Sequence, residues 1–248
     1  MLLRKLTWSK NMKNYVIILA GGIGSRLGGP MPKQFLSLKD KPVIVHTIEN
    51  FQKNEKIDGI IIVCVKDWVG HLMQIVEEYK LQKIVAIVEG GETGHDSTRN
   101  GLFFFENKIH EDDYVIIHDA ARPILPQRAI EEMLNVAHKN GNASLAIPCY
   151  ETVIYTDNGI YGAEQLDRKK IMRVQTPQAY RFGDILPLYK QAEVENKHDF
   201  VYADLVYVYY GKNVFFSKGF VNNIKITRKE DIPLCKALMD FSEEELFS

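Results

Sequence analysis

The sequence is short of the features that would place it quickly. It has three cysteines in 248 residues, Cys64, Cys149 and Cys235, with no C-x-x-C spacing among them. That excludes a disulfide framework or a zinc ribbon and suggests reduced, buried thiols. Neither charge is in excess: 31 Lys and Arg against 32 Asp and Glu leave a formal net charge of -1. A nucleic-acid-binding protein needs a basic excess or stripe, so no nucleic-acid partner is expected. No apolar run approaches a membrane span, and the basic opening "MLLRKLTWSKN" lacks the apolar core of a signal peptide. The expectation is a cytoplasmic protein with no membrane partner. "MKNYVIILAGG", from Met12, looks like a natural start, so residues 1–11 are expected to be a disordered N-terminal extension.

What is present is ordinary in amount and informative in order. Apolar content of 46% and charged content of 25% are globular averages, and the length suits one large α/β domain over 12–248. Short apolar runs at 15–20, 59–65, 83–89, 114–119 and 143–148 predict buried strands. Helical spacing fills the gaps: Pro42 suits a first helical position before Val45, Ile48 and Phe51, and Asp67 suits a cap for "WVGHLMQIVEEYK". "PQRAIEEMLNVAHKN" is followed by the stop signal Gly141. Strands alternating with helices predict an α/β fold with a mostly parallel sheet and helices on both faces.

The alternation breaks after Pro148. "ETVIYTDNGIYG" places two β-like runs around Asp157-Asn158-Gly159, a hairpin turn signal. A hairpin inserted there predicts a projecting β-arm over about 149–172. Beyond it we expect a helix over 182–193, strands near 214–216 and 224–226, and a C-terminal helix from about Arg228.

In parallel sheets ligands bind beyond the carboxyl ends of the strands. The first strand is followed by "LAGGIGSRLGGPMPKQF", five glycines around Arg26 with Lys33 seven residues on. A dinucleotide fingerprint fails because Leu27 stands at the third glycine position. A Walker A loop fails because Pro30 and Met31 follow Gly29 in place of Lys and Ser or Thr. What remains is a loop of backbone N–H groups with two cations. It suits a triphosphate whose pyrophosphate leaves, Arg26 and Lys33 neutralising charge at the α-phosphorus and leaving group. The plainer alternative is a surface turn.

After the fourth strand comes "HDAARP". Asp119 is a natural Mg²⁺ ligand, since that ion takes one or two carboxylates plus phosphate oxygens. The alternative is an Asp119–Arg122 pair that holds the loop; His118 is expected to be structural. After the third strand, "EGGETGHDSTRNG" offers Gly90 and Gly91 for close backbone approach, and Asp96 or Ser97 as a helix cap.

Together "AGGIGSRLG...PKQFL", "GG...DST..GL", "HDAARP", "QTPQ" and "NIKIT..EDI", in this order over 15–238, resemble the cytidylyltransferases that activate polyol phosphates. That family includes the ribitol 5-phosphate enzymes of teichoic-acid and capsule synthesis and the 2-C-methyl-D-erythritol 4-phosphate enzymes of isoprenoid synthesis. The resemblance implies a Rossmann-like nucleotidyltransferase fold, CTP and Mg²⁺, and a homodimer whose arm completes the partner's site. It implies catalytic roles for Arg26, Lys33, Asp119 and Lys225, with Asp119 as metal ligand. Ala20, Gly21, Gly22, Gly24, Gly90, Gly91, Ser97 and Arg122 fall at CTP positions; Thr152, Arg168, Thr176 and Lys225 fall on the acceptor side.

The sequence departs from the pattern twice. Gly94 replaces the arginine usual in the third-strand loop, and Val201-Tyr202 falls where a Thr/Ser-Asp pair is usual, with Asp199 or Asp204 as possible substitutes. The first loop resembles the ribitol branch more than the methylerythritol branch. Two rivals are a sugar-1-phosphate nucleotidyltransferase using UTP or GTP and a non-catalytic nucleotide-binding regulatory protein. The mechanism implied is in-line displacement: an ionised acceptor phosphate attacks the α-phosphorus of CTP and expels pyrophosphate, with no side-chain nucleophile.

Overall fold

The computed structural model describes residues 12–22 and 31–247. Residues 1–11, Gly24 and Arg26 lie outside the described residues. In chain order the elements are β1 (Asn14–Ala20), β2 (Ser37–Leu38), β3 (Lys41–Pro42), α1 (Val43–Gln52), β4 (Gly59–Cys64), α2 (Val69–Glu78), β5 (Ile84–Glu89), α3 (Gly94–Phe105), β6 (Tyr114–Asp119), α4 (Gln127–Asn140) and β7 (Asn142–Pro148). Then come β8 (Ile154–Tyr155), β9 (Glu164–Gln165), β10 (Met172–Arg181), α5 (Phe182–Val194), α6 (Ala203–Tyr209), β11 (Phe216–Lys218), α7 (Asp231–Leu238) and α8 (Glu243–Phe247).

The five apolar runs expected as strands form β1, β4, β5, β6 and β7. They build a seven-stranded sheet of order β11-β7-β10-β6-β1-β4-β5. It is mostly parallel, and β10 alone runs antiparallel to both its neighbours, β6 and β7. Alternation along each strand divides the core between the two faces. Val16 and Ile18 pack with Ile44 of α1, Leu72 of α2 and Ile130 of α4 on one face. Tyr15 and Ile17 pack with Leu102 of α3, Leu188 of α5 and Val206 of α6 on the other. Fully burying such an aliphatic side chain stabilises the fold by about 1.5–3 kcal/mol.

Strand β10, with the sequence MRVQTPQAYR, was not expected. It mixes polar and apolar residues and contains Pro177, which ordinarily argues against an interior strand. A register shift between Val174 and Gln178 accommodates the proline, and distant partners satisfy its buried polar side chains. Gln175 bonds Phe220, while Gln178 and Tyr180 both donate to the buried Asp204.

Several local expectations are corrected. Pro42 is the residue before α1, not its first helical residue. Asp67 makes no cap bond; a 3-10 turn over Lys66–Trp68 leads into α2 instead. The cap of α3 is Thr93, whose hydroxyl accepts from Asp96 N while the Asp96 carboxylate accepts from Thr93 N, a reciprocal box. The arm leaves the sheet at Pro148 and returns at Met172, but Asn158-Gly159 is no two-residue turn. Tyr155 pairs with Glu164, so residues 156–163 form a wider loop inside which Gly159 takes a positive φ of 70°. Residues 224–226 lie outside any strand and are tied to the 119–122 turn by Ile226 N–H···O=C Ala121 at 2.8 Å. The last edge strand is Phe216–Lys218, and α7 begins at Asp231, whose carboxylate first accepts from Thr227 N and Arg228 N.

Candidate active site

The carboxyl ends of β1, β5 and β6 open into one pocket of about 440 Å³. It is lined by Gly21, Gly22, Lys33, Ser97 and Asp119, and by Lys225 from the chain beyond β11. Residues 198–202, before α6, close the remaining side.

Asp119 ends β6 and is buried. Its Oδ1 accepts from Lys225 Nζ at 2.8 Å and its Oδ2 from Arg122 Nε at 3.0 Å, while Thr176 Oγ1 accepts from its N–H at 3.1 Å. Burial opposes ionisation of this carboxyl. Lys225 and Arg122 outweigh that penalty and hold it well below the ordinary carboxylate range. Burial likewise works against the Lys225 ammonium, but Asp119 keeps it charged and raises its pKa. The Lys225 ammonium also lies 5.5 Å from the centre of the Tyr202 ring. His118, one residue before Asp119, is fully buried against Phe51, and burial lowers its pKa to about 4. It is a structural imidazole, as expected.

The chain leaving β1 at Ala20–Gly22 is held by a residue not singled out in the sequence. Gln34 is buried and donates from Nε2 to Ala20 O at 2.8 Å and Gly22 O at 3.3 Å. It pins the chain leaving β1 while Lys33, its neighbour, lines the pocket. The signal was in the sequence: an amide directly after a pocket lysine, within an otherwise apolar turn. Opposite, Gly91 lets its turn pack closely on α3, whereas a Cβ at Gly90 would meet its neighbours at an ordinary 3.4 Å. A Cβ at Gly91 would lie 2.2 Å from Asp96 Cβ, and one at Gly21 would lie 2.6 Å from Ser97 Oγ. Ser97 accepts from Gly91 N at 3.2 Å, so β1, the 90–91 turn and α3 converge on it.

Residues 14–240 match the family model of 2-C-methyl-D-erythritol 4-phosphate cytidylyltransferase (IspD). The chain belongs to this family. Among its relatives, a ribitol-5-phosphate cytidylyltransferase of Lacticaseibacillus paracasei is 32% identical over 93% of this chain and 98% of its own. A 2-C-methyl-D-erythritol 4-phosphate cytidylyltransferase of Clostridium novyi is 34% identical over 92% and 97%. The solved Francisella tularensis enzyme named for the second activity is 28% identical, with a TM-score of 0.77 over 91% of this chain and 99% of that one. The Anaerococcus prevotii 4-diphosphocytidyl-2C-methyl-D-erythritol synthase, at 24% identity and TM-score 0.79 over 93% and 99%, shares the fold. The reaction class is therefore CTP-dependent cytidylyl transfer to a polyol phosphate, a nucleotidyltransfer.

In this cytidylyltransferase the structure gathers Gly21, Gly22, Lys33, Ser97, Asp119 and Lys225 at one pocket. Ala20 and Gly90 flank it, joined to its lining by Gln34 and by packing against Gly21. Arg122 and Thr176 stand behind it: Arg122 is buried and donates to Asp119 and Asn223 O, and Thr176 supports Asp119. Thr152 and Arg168 are exposed on the arm, where Arg168 bonds Tyr150 O at 2.8 Å; neither lines the pocket of its own chain. Asp199 and Tyr202 line the pocket, whereas Asp204 is buried in the core, accepting from Ser144, Gln178 and Tyr180. Among the described residues no helix is long and apolar enough to cross a membrane.

Proposed function

We propose that this cytidylyltransferase acts on ribitol 5-phosphate, giving CDP-ribitol and pyrophosphate in the cytoplasm. The observation that carries the choice of acceptor is the wall beside Lys225, where Asp199 and Tyr202 line the pocket together with Val201. A carboxylate and a phenol suit the successive hydroxyls of an unbranched polyol. A site that hydrogen-bonds a hydroxyl strongly rejects an analogue lacking it. Identity does not choose between the acceptors, since relatives of both names are similarly close. 2-C-methyl-D-erythritol 4-phosphate is the alternative.

In this reading the nucleotide lies over Gly21, Gly22, Gly90 and Ser97, with its triphosphate along the glycine-rich loop. The acceptor phosphate, ionised at neutral pH, attacks the α-phosphorus in line with the departing pyrophosphate. Lys33 and Arg26 neutralise the charge that builds there, and Lys225 orients the acceptor. Asp119 suits a magnesium ion: it is held ionised, and Oδ1 keeps acceptor capacity beyond its bond to Lys225. Mg²⁺ held there would neutralise triphosphate charge.

The arm supports a homodimer. Ile154 and Tyr155, on a two-residue ladder, and Ile160 and Tyr161, in the loop it closes, are 59%, 48%, 85% and 68% exposed, and the arm has no core of its own. A second copy would bury them and bring Thr152 and Arg168 to its partner's acceptor.

The test is kcat/KM for the two acceptors at saturating CTP. Ribitol 5-phosphate is expected to lead by at least ~100-fold. A preference for 2-C-methyl-D-erythritol 4-phosphate would overturn the assignment, and turnover of neither would point to another polyol phosphate.

A further inference from the structure

At the pocket wall, where His198 is itself a lining residue, lies a cluster to which the transfer reaction assigns no role. His95, in the first turn of α3, is 2% exposed and stacked on Tyr189, with ring centroids 4.8 Å apart. Neither of its ring nitrogens has a hydrogen-bond partner. A buried imidazole left unpaired on both sides is rare, because it forfeits its hydration without replacement. Glu193, at the end of α5, and His198, in the loop after it, face the same point. His198 Nδ1 is 3.3 Å from Glu193 Oε1, and one ligand atom from each of the three residues lies within 4.8 Å of the others.

The charges around this point do not balance. Asp96 and Glu193 share the single guanidinium of Arg99, at 3.1 and 2.6 Å, which leaves one negative charge beside two imidazoles. A carboxylate has two oxygens, so Glu193 can keep Arg99 and still ligate. Tyr189 and Phe200 flank the His95 ring and keep that side of the cluster apolar.

We propose that His95, Glu193 and His198 form a binding site for a divalent transition-metal ion, with zinc as the first candidate. Two imidazoles and a carboxylate are a zinc donor set that leaves one position open to water. Zinc bonds of about 2.0–2.2 Å put neighbouring ligands roughly 3.4 Å apart, so the cluster must close by about an ångström. His198 supplies that movement, since it sits in a loop with its side chain 38% exposed. The ion would tie α3 and the end of α5 to the segment 198–202, whose Asp199 and Tyr202 line the acceptor side of the pocket. It is a fastener for the pocket wall, separate from the magnesium position at Asp119.

Calorimetric titration of the metal-stripped full chain with ZnCl₂, without nucleotide, tests this. About one Zn²⁺ per chain is expected, and Co²⁺ in its place should give the visible absorption of a tetrahedral site. His198→Ala should weaken Zn²⁺ binding by at least ~10-fold, since even losing an outer partner of a metal ligand costs that much. Asp119→Asn should leave the titration unchanged. The same His198 variant should abolish the rise in Tm that Zn²⁺ gives the parent. His95→Gln should behave alike, and if it fails to fold, the half-exposed His198 still decides the question. No binding, binding indifferent to His198→Ala, or binding lost in Asp119→Asn each overturns the proposal.

Discussion

Lys225 Nζ sits 2.8 Å from Asp119 Oδ1, although 106 positions of chain separate them. The contact joins the end of the central strand β6 to a segment that belongs to no strand. It places at the pocket a cation already paired with a buried carboxylate. Asp119 is buried between Lys225 and Arg122, and the two cations together hold it ionised.

Asp119→Asn should remove magnesium-dependent turnover while the chain stays folded. An amide keeps the shape but lacks the charge that binds a hard cation. Activity across a Mg²⁺ titration, with circular dichroism as the folding control, measures this; normal activity in the variant would move the metal elsewhere.

Lys33→Ala, and separately Arg26→Ala, should lower kcat by at least ~100-fold, the scale of losing one donor that stabilises transition-state charge. Stopped or continuous pyrophosphate release reports it. Turnover close to the parent's in either variant would remove that residue from the transition state.

Ile160→Asp together with Tyr161→Asp should yield a monomer with reduced activity, because these side chains are 85% and 68% exposed in the isolated chain. Light scattering at assay concentration is the measurement. A fully active parent monomer would rule out the shared site.

His118 gives the fold a pH dependence of known sign. Burial lowers its pKa to about 4, against an unfolded value near ~6.5. A depressed base contributes its stability above the unfolded value and loses it as pH falls through the folded one. Stability should therefore drop between about pH 6.5 and pH 4, by up to ~3 kcal/mol from this group. Urea midpoints across that range should fall less steeply in His118→Gln. Asp119 acts lower: its depressed pKa makes its contribution full above the ordinary carboxylate value near ~3.9 and lost only in stronger acid.

Asp204→Ala should destabilise the fold by roughly 3 kcal/mol, because it strands the donors Ser144, Gln178 and Tyr180 in the core. Denaturant unfolding measures the loss. The KM for the acceptor should be unchanged in folded enzyme, and a large rise would return Asp204 to the pocket.

The sequence by itself determined the parallel part of the sheet, because β1, β4, β5, β6 and β7 are continuous apolar runs whose burial needs no partner to be named. It also determined that Lys33, Ser97 and Asp119 meet at one pocket, since Asp119 ends β6 while Lys33 and Ser97 lie on the segments after β1 and β5, and in a parallel sheet those strand ends share one edge. Only the tertiary structure decided the rest. Strand β10 could not be seen in MRVQTPQAYR because its polar side chains are paid for by Phe220, Asp119 and Asp204, residues 26 to 57 positions away. Thr93 rather than Asp96 or Ser97 caps α3, and Gln34 holds the chain leaving β1 at Ala20 and Gly22. Asp199 lines the pocket while Asp204, five residues on, is buried, because one precedes α6 and the other lies in its first turn against β7 and β10. Periodicity and strand ends are local properties that a sequence carries openly. Which polar group meets which, over a hundred residues of intervening chain, is set by packing.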